Sequence, residues 1–355
     1  MKFARQACLL SIAVCLPLMS FPLVSSATDT DTPPQTKHVT PTKHTVSKKH
    51  TVTKKVAAPA HVAAAKPVKR YVMVHGKRRL VTQSVVAAAV VDKPSVGDAE
   101  GLNRFKDPLS LQSNVAYVVD QTSSKVLFEK NPDVSLPIAS ITKLMTSLVV
   151  VEANQDMNEE IEVTNDDIDK EKGTGSRLKI GSKLSRADML HIALMSSENR
   201  AASALGRNYP GGRPAFVAAM NAKAQQLGMM DTHYVDSNGL SSQNRASAKD
   251  LVKLVNAAYQ YPIIRQYSTD SHYVVNPGGA PLEYGSSNKL VSNPSWEIGL
   301  QKTGFINEAG RCLVMQAMIE GRAVVMVFLD SKGKYSRLAD AGRIKKWLET
   351  TKPQL

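Results

Sequence analysis

Cysteine is scarce in this 355-residue chain, and two of its three cysteines, Cys8 and Cys15, fall inside one N-terminal apolar run. Only Cys312 lies beyond that run, so no internal disulfide can staple the rest of the chain, and an apolar core must hold it. The run itself, Ala7 to Leu18, follows Lys2 and Arg5 and precedes the small residues Ser25-Ser26-Ala27. A charged start, a short apolar stretch and a small-residue exit predict a secretory signal peptide over residues 1–27. Val14 before Cys15 is too large for the small residue expected ahead of an acylated lipoprotein cysteine. No other segment reaches the roughly 18 apolar residues of a membrane span, so no transmembrane helix is expected in the mature protein.

Aromatic residues are only 5% of the chain and nearly vanish between residues 28 and 105. That stretch has no sustained helical or strand period and repeats a basic phrase, as in Lys37-His38-Val39-Thr40 and Lys43-His44-Thr45-Val46. It cannot bury enough surface to offset chain entropy and is read as a disordered basic linker. Residues 28–100 hold 13 Lys/Arg against 5 Asp/Glu, so much of the net charge of +14 belongs to the tail. Such a tether would be drawn weakly to anionic envelope polymers, in a salt-sensitive way. Export argues against nucleic acid as the partner. Five of the eight histidines are in the tail, but loosely spaced and without a cysteine or carboxylate cluster, so no metal or cofactor is expected.

A folded domain is expected over residues 106–350. Asn114–Asp120 and Lys125–Glu129 read as a hairpin, and Trp296–Phe305, Arg311–Met318 and Ala323–Leu329 as three further strands. Helical patterns lie between, at Ser140–Ala153, Ser185–Ser196, Arg200–Leu205, Arg213–Leu227 and Ser247–Tyr259, with a last one near Tyr335–Thr350. Strands at both ends with helices inserted imply an α+β fold around one antiparallel sheet.

Three short strings carry the chemistry. Ser140-Ile141-Thr142-Lys143 opens an apolar helix, and a serine and lysine three apart share one helix face. Serine is a weak nucleophile without an adjacent base, and lysine becomes that base only when its pKa is lowered. Ser197-Glu198-Asn199 follows a helix exit and offers a hydroxyl to relay a proton and an amide to hold a substrate backbone. Lys302-Thr303-Gly304, on a strand, offers a carboxylate anchor and a glycine that admits close backbone approach. Each pattern alone is weak: Ser-x-x-Lys recurs at Ser286–Lys289 and Ser331–Lys334, and Ser-x-Asn at Ser242–Asn244 and Ser286–Asn288. Only the set at 140, 197 and 302 combines a nucleophile, a relay and an anchor in the settings acyl transfer needs.

These strings, with Pro137–Thr146, Leu194–Ala202, Asp236-Ser237-Asn238-Gly239-Leu240 and Gly299–Phe305, resemble the low-molecular-weight penicillin-binding proteins. These are DD-peptidases that share a fold with the serine β-lactamases. The resemblance covers roughly residues 110–345 and implies a five-stranded antiparallel sheet packed with helices plus a helical subdomain. It implies Ser140 as nucleophile, Lys143 as base, and Ser197 with Lys302 as proton relay. Substrate contacts would come from Asn199, Lys302, Thr303, Gly304 and Phe305, with the N–H groups of Ser140 and Phe305 as oxyanion donors. The Ser-Ser-Glu-Asn phrasing is most similar to the D-alanyl-D-alanine endopeptidase branch. The expected partners are therefore peptidoglycan stem peptides and β-lactam antibiotics, in the periplasm. No glutamate lies between Asn199 and Glu283, where class A β-lactamases carry a deacylating one, which favours a penicillin target over an efficient β-lactamase.

A DD-carboxypeptidase removing terminal D-alanine and a non-catalytic wall-binding protein working through its tail remain as alternatives. His191 in an apolar helix pattern reads as a core or edge histidine, and the stretch Asp166–Lys172 as a charged solvated face without calcium-ligand spacing. Arg343–Glu349 reads as a covering helix rather than an interfacial anchor.

Overall fold

A computed structural model of the protein describes residues 68–74, 77–83 and 94–351, which fall in two units, residues 1–87 and 88–355. Residues 1–27 and most of the basic tail lie outside the described residues. Within the first unit Val68–Val74 pairs antiparallel with Lys77–Gln83, a hairpin inside the stretch read from sequence as linker. The tail's average composition concealed it. Locally, β-favouring valine and tyrosine cluster in Tyr71-Val72-Met73-Val74 and again at Leu80-Val81-Thr82, and two residues ending in Gly76 separate the strands, a hairpin pattern.

The second unit is built on one five-stranded antiparallel sheet. Its strands are β1 (Ser113–Asp120), β2 (Val126–Lys130), β3 (Glu297–Ile306), β4 (Gly310–Ile319) and β5 (Arg322–Ser331), in spatial order β3-β4-β5-β1-β2. The early and late segments meet where Met326 of β5 stands opposite Val118 of β1. Side chains alternate between two apolar layers, because successive residues of a strand point to opposite faces. Val115, Val119, Val314, Val325 and Val327 join the main core, while Ala116, Val118, Leu313, Met326 and Phe328 pack with Ala341, Ile344 and Leu348 on the other side. Those last three belong to α7, defined below, so the expected covering helix is the one that closes the second face.

The helices are α1 (Thr142–Glu152), α2 (Arg186–Met195), α3 (Asn199–Arg207), α4 (Gly212–Gln226), α5 (Ala248–Tyr259), α6 (Pro262–Thr269) and α7 (Ser336–Thr351). Every residue of α1 from Thr142 to Val150 is buried, so it is a central helix without a solvent face. Ser185 and Ser247 cap α2 and α5 by accepting the N–H groups of Asp188 and Asp250. The α6 helix was not expected from sequence; Pro262 opens it, at a first-turn position where the missing N–H costs nothing.

Packing also begins ahead of the residue 106 boundary drawn from sequence. Ser95 Oγ and Asn114 Nδ2 both donate to Asp330 Oδ2 at 2.8 Å, and Val96 N donates to Glu308 O at 3.0 Å. A short helix, Val96–Ala99, results. Buried Asp330 draws donors from both sides of residue 106, a requirement no local sequence pattern displays, and we propose that the domain begins near Pro94.

Candidate active site

The 3-10 turn just ahead of α1 carries the nucleophile candidate. Ala139–Ile141 forms a 3-10 turn leading into α1, which sets Ser140 and Lys143 on one side, three residues apart. Lys143 Nζ lies 2.8 Å from Ser140 Oγ, 2.8 Å from Asn199 Oδ1 and 2.5 Å from the Asn238 carbonyl. The lysine is 1% exposed, and burial pulls its pKa from 10.5 to about 7, although the charges of Asp236 and Glu198 pull the other way. A neutral amine has two N–H bonds and one lone pair. The two carbonyl oxygens of Asn199 and Asn238 take the N–H bonds, which leaves the lone pair for the Ser140 hydroxyl.

The second pair mirrors the first. Lys302 Nζ sits 2.9 Å from Ser197 Oγ and 2.9 Å from the Thr303 carbonyl. It is fully buried, and its pKa falls well below the usual lysine value, through desolvation first and then through the charges of Lys143 and Arg337. Ser197 adopts a left-handed φ of 65° at the turn between α2 and α3, which delivers its hydroxyl to Lys302 and lets Asn199 begin α3. Asn199 reaches Lys143 with its oxygen, while its Nδ2 donates to Thr174 Oγ1 at 3.0 Å.

Edge strand β3 passes directly behind the nucleophile turn. A side chain at Gly304 would bring its Cβ to 2.8 Å from the Ile138 carbonyl and 3.2 Å from Ser140 N, so glycine is what permits the approach. Thr303 Oγ1 is 2.7 Å from Ser287 Oγ. The Phe305 side chain is exposed and lies beneath the Arg311 guanidinium at 4.2 Å. The residues singled out in sequence thus converge: Ser140, Lys143, Ser197, Asn199 and Lys302 through direct contacts, and Thr303, Gly304 and Phe305 as the strand beside them.

Sequence reasoning did not assign several groups that complete the cluster. Asp236 accepts the N–H groups of Asn238, Gly239 and Ser241 and the Asn244 amide, and so moulds the turn that presents the Asn238 carbonyl to Lys143. Gly239 has φ +80°, and a Cβ there would meet the Ala139 carbonyl at 2.1 Å. Arg337 of α7 is 8% exposed, with Nε and Nη1 unpartnered among the described residues, and adds a second cation close to Lys302. The Asp-Ser-Asn-Gly string was visible in the sequence, but its role depends on a turn geometry that only folding reveals. Arg337 had no local signal. His191, by contrast, stacks on Tyr267 with ring centroids 4.2 Å apart and places Nε2 2.9 Å from Asp270, a setting apart from the two lysines.

A family model described as D-alanyl-D-alanine carboxypeptidase matches residues 103–333. The chain belongs to that family. It is 48% identical over 242 residues to a D-alanyl-D-alanine endopeptidase of Pseudomonas aeruginosa, an alignment covering 68% of this chain and 78% of the relative. It is 46% identical over 245 residues to a D-alanyl-D-alanine endopeptidase of Escherichia coli, covering 68% and 79%. Among solved structures, the Streptomyces K15 DD-transpeptidase superposes with a TM-score of 0.63 at 25% identity, over 68% of this chain and 98% of its own. These DD-peptidase relatives bear out the α+β fold and the reading of the chain as a serine DD-peptidase. Among the described residues of this DD-peptidase, no helix is long and apolar enough to cross a membrane.

Proposed function

We propose that the protein is a serine DD-endopeptidase that hydrolyses D-alanyl–diaminopimelate cross-links of peptidoglycan through an acyl-enzyme on Ser140. The observation that carries this is the Lys143 amine, buried, 2.8 Å from Ser140 Oγ, and shifted to a pKa of about 7. In the proposed reaction Lys143 takes the Ser140 proton as Oγ attacks the D-alanyl carbonyl. The resulting oxyanion is held by the backbone N–H groups of Ser140 and Phe305, which the tight packing of Gly304 against the nucleophile turn brings near each other. Ser197 hands a proton to the departing diaminopimelate amine while taking one from charged Lys302, and the C–N bond breaks. Water later cleaves the Ser140 ester, its proton passing back through Ser197 to Lys302 as Lys143 returns a proton to Ser140 Oγ. Asn199 fixes Lys143 and faces the substrate backbone. The carboxylate of the leaving stem falls to Lys302 and Thr303, with Arg337 as a further cation. A carboxylate arriving there restores the proton affinity that burial takes from Lys302.

The endopeptidase reading is preferred to a carboxypeptidase because the relatives at 46% and 48% identity carry that name. β-Lactams would acylate the same serine. Residues 1–27 act as an export signal that brings the protein to the periplasm, and the basic tail attracts anionic envelope polymers. The test is a pair of digestions. Purified sacculi should lose dimeric muropeptides, and loss of terminal D-alanine from monomeric pentapeptide alone would make the protein a carboxypeptidase. A biological effect that survives Ser140→Ala and depends only on the tail would make it a wall-binding protein.

A further inference from the structure

Between Ser197 and Asn199 stands a buried carboxylate that the proton path does not use. We infer that Glu198 is a positioning residue for acylation, tying the 169–178 loop and the strand Leu282–Gly285 to the start of α3 and thereby fixing where Ser197 and Asn199 meet the two lysines. This rests on the reaction proposed above.

Glu198 is 9% exposed and serves as the N-cap of α3. Its Oε1 accepts the Arg200 N–H at 3.2 Å and the Ser176 hydroxyl at 2.6 Å, and its Oε2 accepts the Tyr284 hydroxyl at 3.4 Å. Tyr284 is itself buried, with the Arg177 guanidinium 4.0 Å above its ring, and Arg200 Nη1 donates to the Leu178 carbonyl at 2.6 Å. The same loop then returns to the reacting groups. Thr174 donates to Asp169 Oδ2 at 2.7 Å and accepts from Asn199 Nδ2 at 3.0 Å. A closed circuit results, in which Glu198 holds Ser176 and Thr174 holds Asn199, the residue next to Glu198. With Nδ2 engaged by Thr174, the Asn199 oxygen can only face Lys143.

The circuit also steadies Ser197. Its left-handed backbone is unfavourable for a residue with a side chain, and persists only where neighbours over-determine it. The charges that bear on Lys143 are Asp236 from the 236–240 turn and Glu198 from the start of α3, while Lys143 itself acts on Lys302 of β3. Glu198 itself is faced by Tyr284 and, through that ring, by Arg177. The carboxylate therefore has two separable effects, one steric and one electrostatic.

The test uses the full-length protein and the rate of labelling by a fluorescent penicillin, followed across the neutral pH range, with thermal melting recorded alongside. Glu198→Ala should slow acylation on the alkaline plateau about tenfold or more, through misplaced Asn199 and Ser197. Ser176→Ala should act in the same direction, more weakly. Glu198→Gln keeps an oxygen for Ser176 and should recover most of the plateau lost in the alanine variant. Its acid limb should move to lower pH, because a charge that favours protonated Lys143 is gone. Wild-type rate and limb in both Glu198 variants, or lowered melting with acylation intact, would overturn the inference. If the alanine variant does not fold, the Gln and Ser176→Ala variants decide in the same terms. The reading at Ser140 fails separately, when the wild-type protein takes no label or when label persists in Ser140→Ala.

Discussion

Lys302 Nζ rests 2.9 Å from Ser197 Oγ, fully buried and within electrostatic reach of Lys143. Each serine therefore has its own amine, and the charge of Lys143 adds to burial in holding Lys302 below the usual lysine range. The arrangement can accept a proton at one end of the cleft and release one at the other without help from solvent.

Acylation should follow the state of Lys143. In the proposed reaction the active form is the neutral amine, whose pKa burial lowers from 10.5 to about 7. The penicillin acylation rate should thus climb as pH rises through about 7 and level off above it, where an ordinary lysine would still be charged. A rate that keeps climbing to pH 10 would show that burial does not lower this amine.

Removing either amine should separate the two roles. Lys143→Ala should reduce acylation by about 10²–10⁴-fold, the usual contribution of a positioned general base. Lys302→Ala should impair both penicillin and substrate reactions while leaving a slower label at Ser140. Labelled-band intensity over time, with intact mass to locate the adduct, distinguishes these outcomes.

Gly239 should tolerate no side chain. Its φ of +80° and the 2.1 Å approach of a built Cβ to the Ala139 carbonyl mean that Gly239→Ala must displace the nucleophile turn or the Asn238 carbonyl. Expected are a loss of about 1–3 kcal/mol in stability and a fall in acylation larger than that loss explains. Chemical denaturation and penicillin labelling on the same sample measure both.

The fold should depend on the residues just ahead of Phe105. A protein beginning at Pro94 should melt like the full chain and acylate equally fast. One beginning at Lys106 loses the Ser95 bond to Asp330 and the Val96 bond to Glu308. Asp330 then keeps Asn114 but lacks the Ser95 donor, at a cost of about 1–3 kcal/mol. Equal melting of the two proteins would return the boundary to residue 106.

Ser140, Lys143, Ser197 and Lys302 could be read from the chain because short-range rules govern them: helix spacing puts a serine and lysine side by side, and a Lys-Thr-Gly run suits an edge strand. The five strands and most helices were legible for the same reason, through periods of two and of 3.6 that record which faces are buried. The Val68–Gln83 hairpin and the α6 helix were missed where composition or a proline obscured a local pattern. Asp236, Arg337, Thr174 and Glu198 had no such record. Their importance lies in contacts across many residues of sequence, such as Ser176 to Glu198 or Lys143 to Asn238.

By itself the sequence determined the family and the fold class and singled out the groups proposed to react, since these follow from local periodicity and from residue types that few chemistries require together. Only the tertiary structure decided how those groups behave. Desolvation, the lone-pair geometry at Lys143 and the bracing of Asn199 arise when distant segments exclude water from one cleft, and a linear string of residues does not encode that exclusion locally.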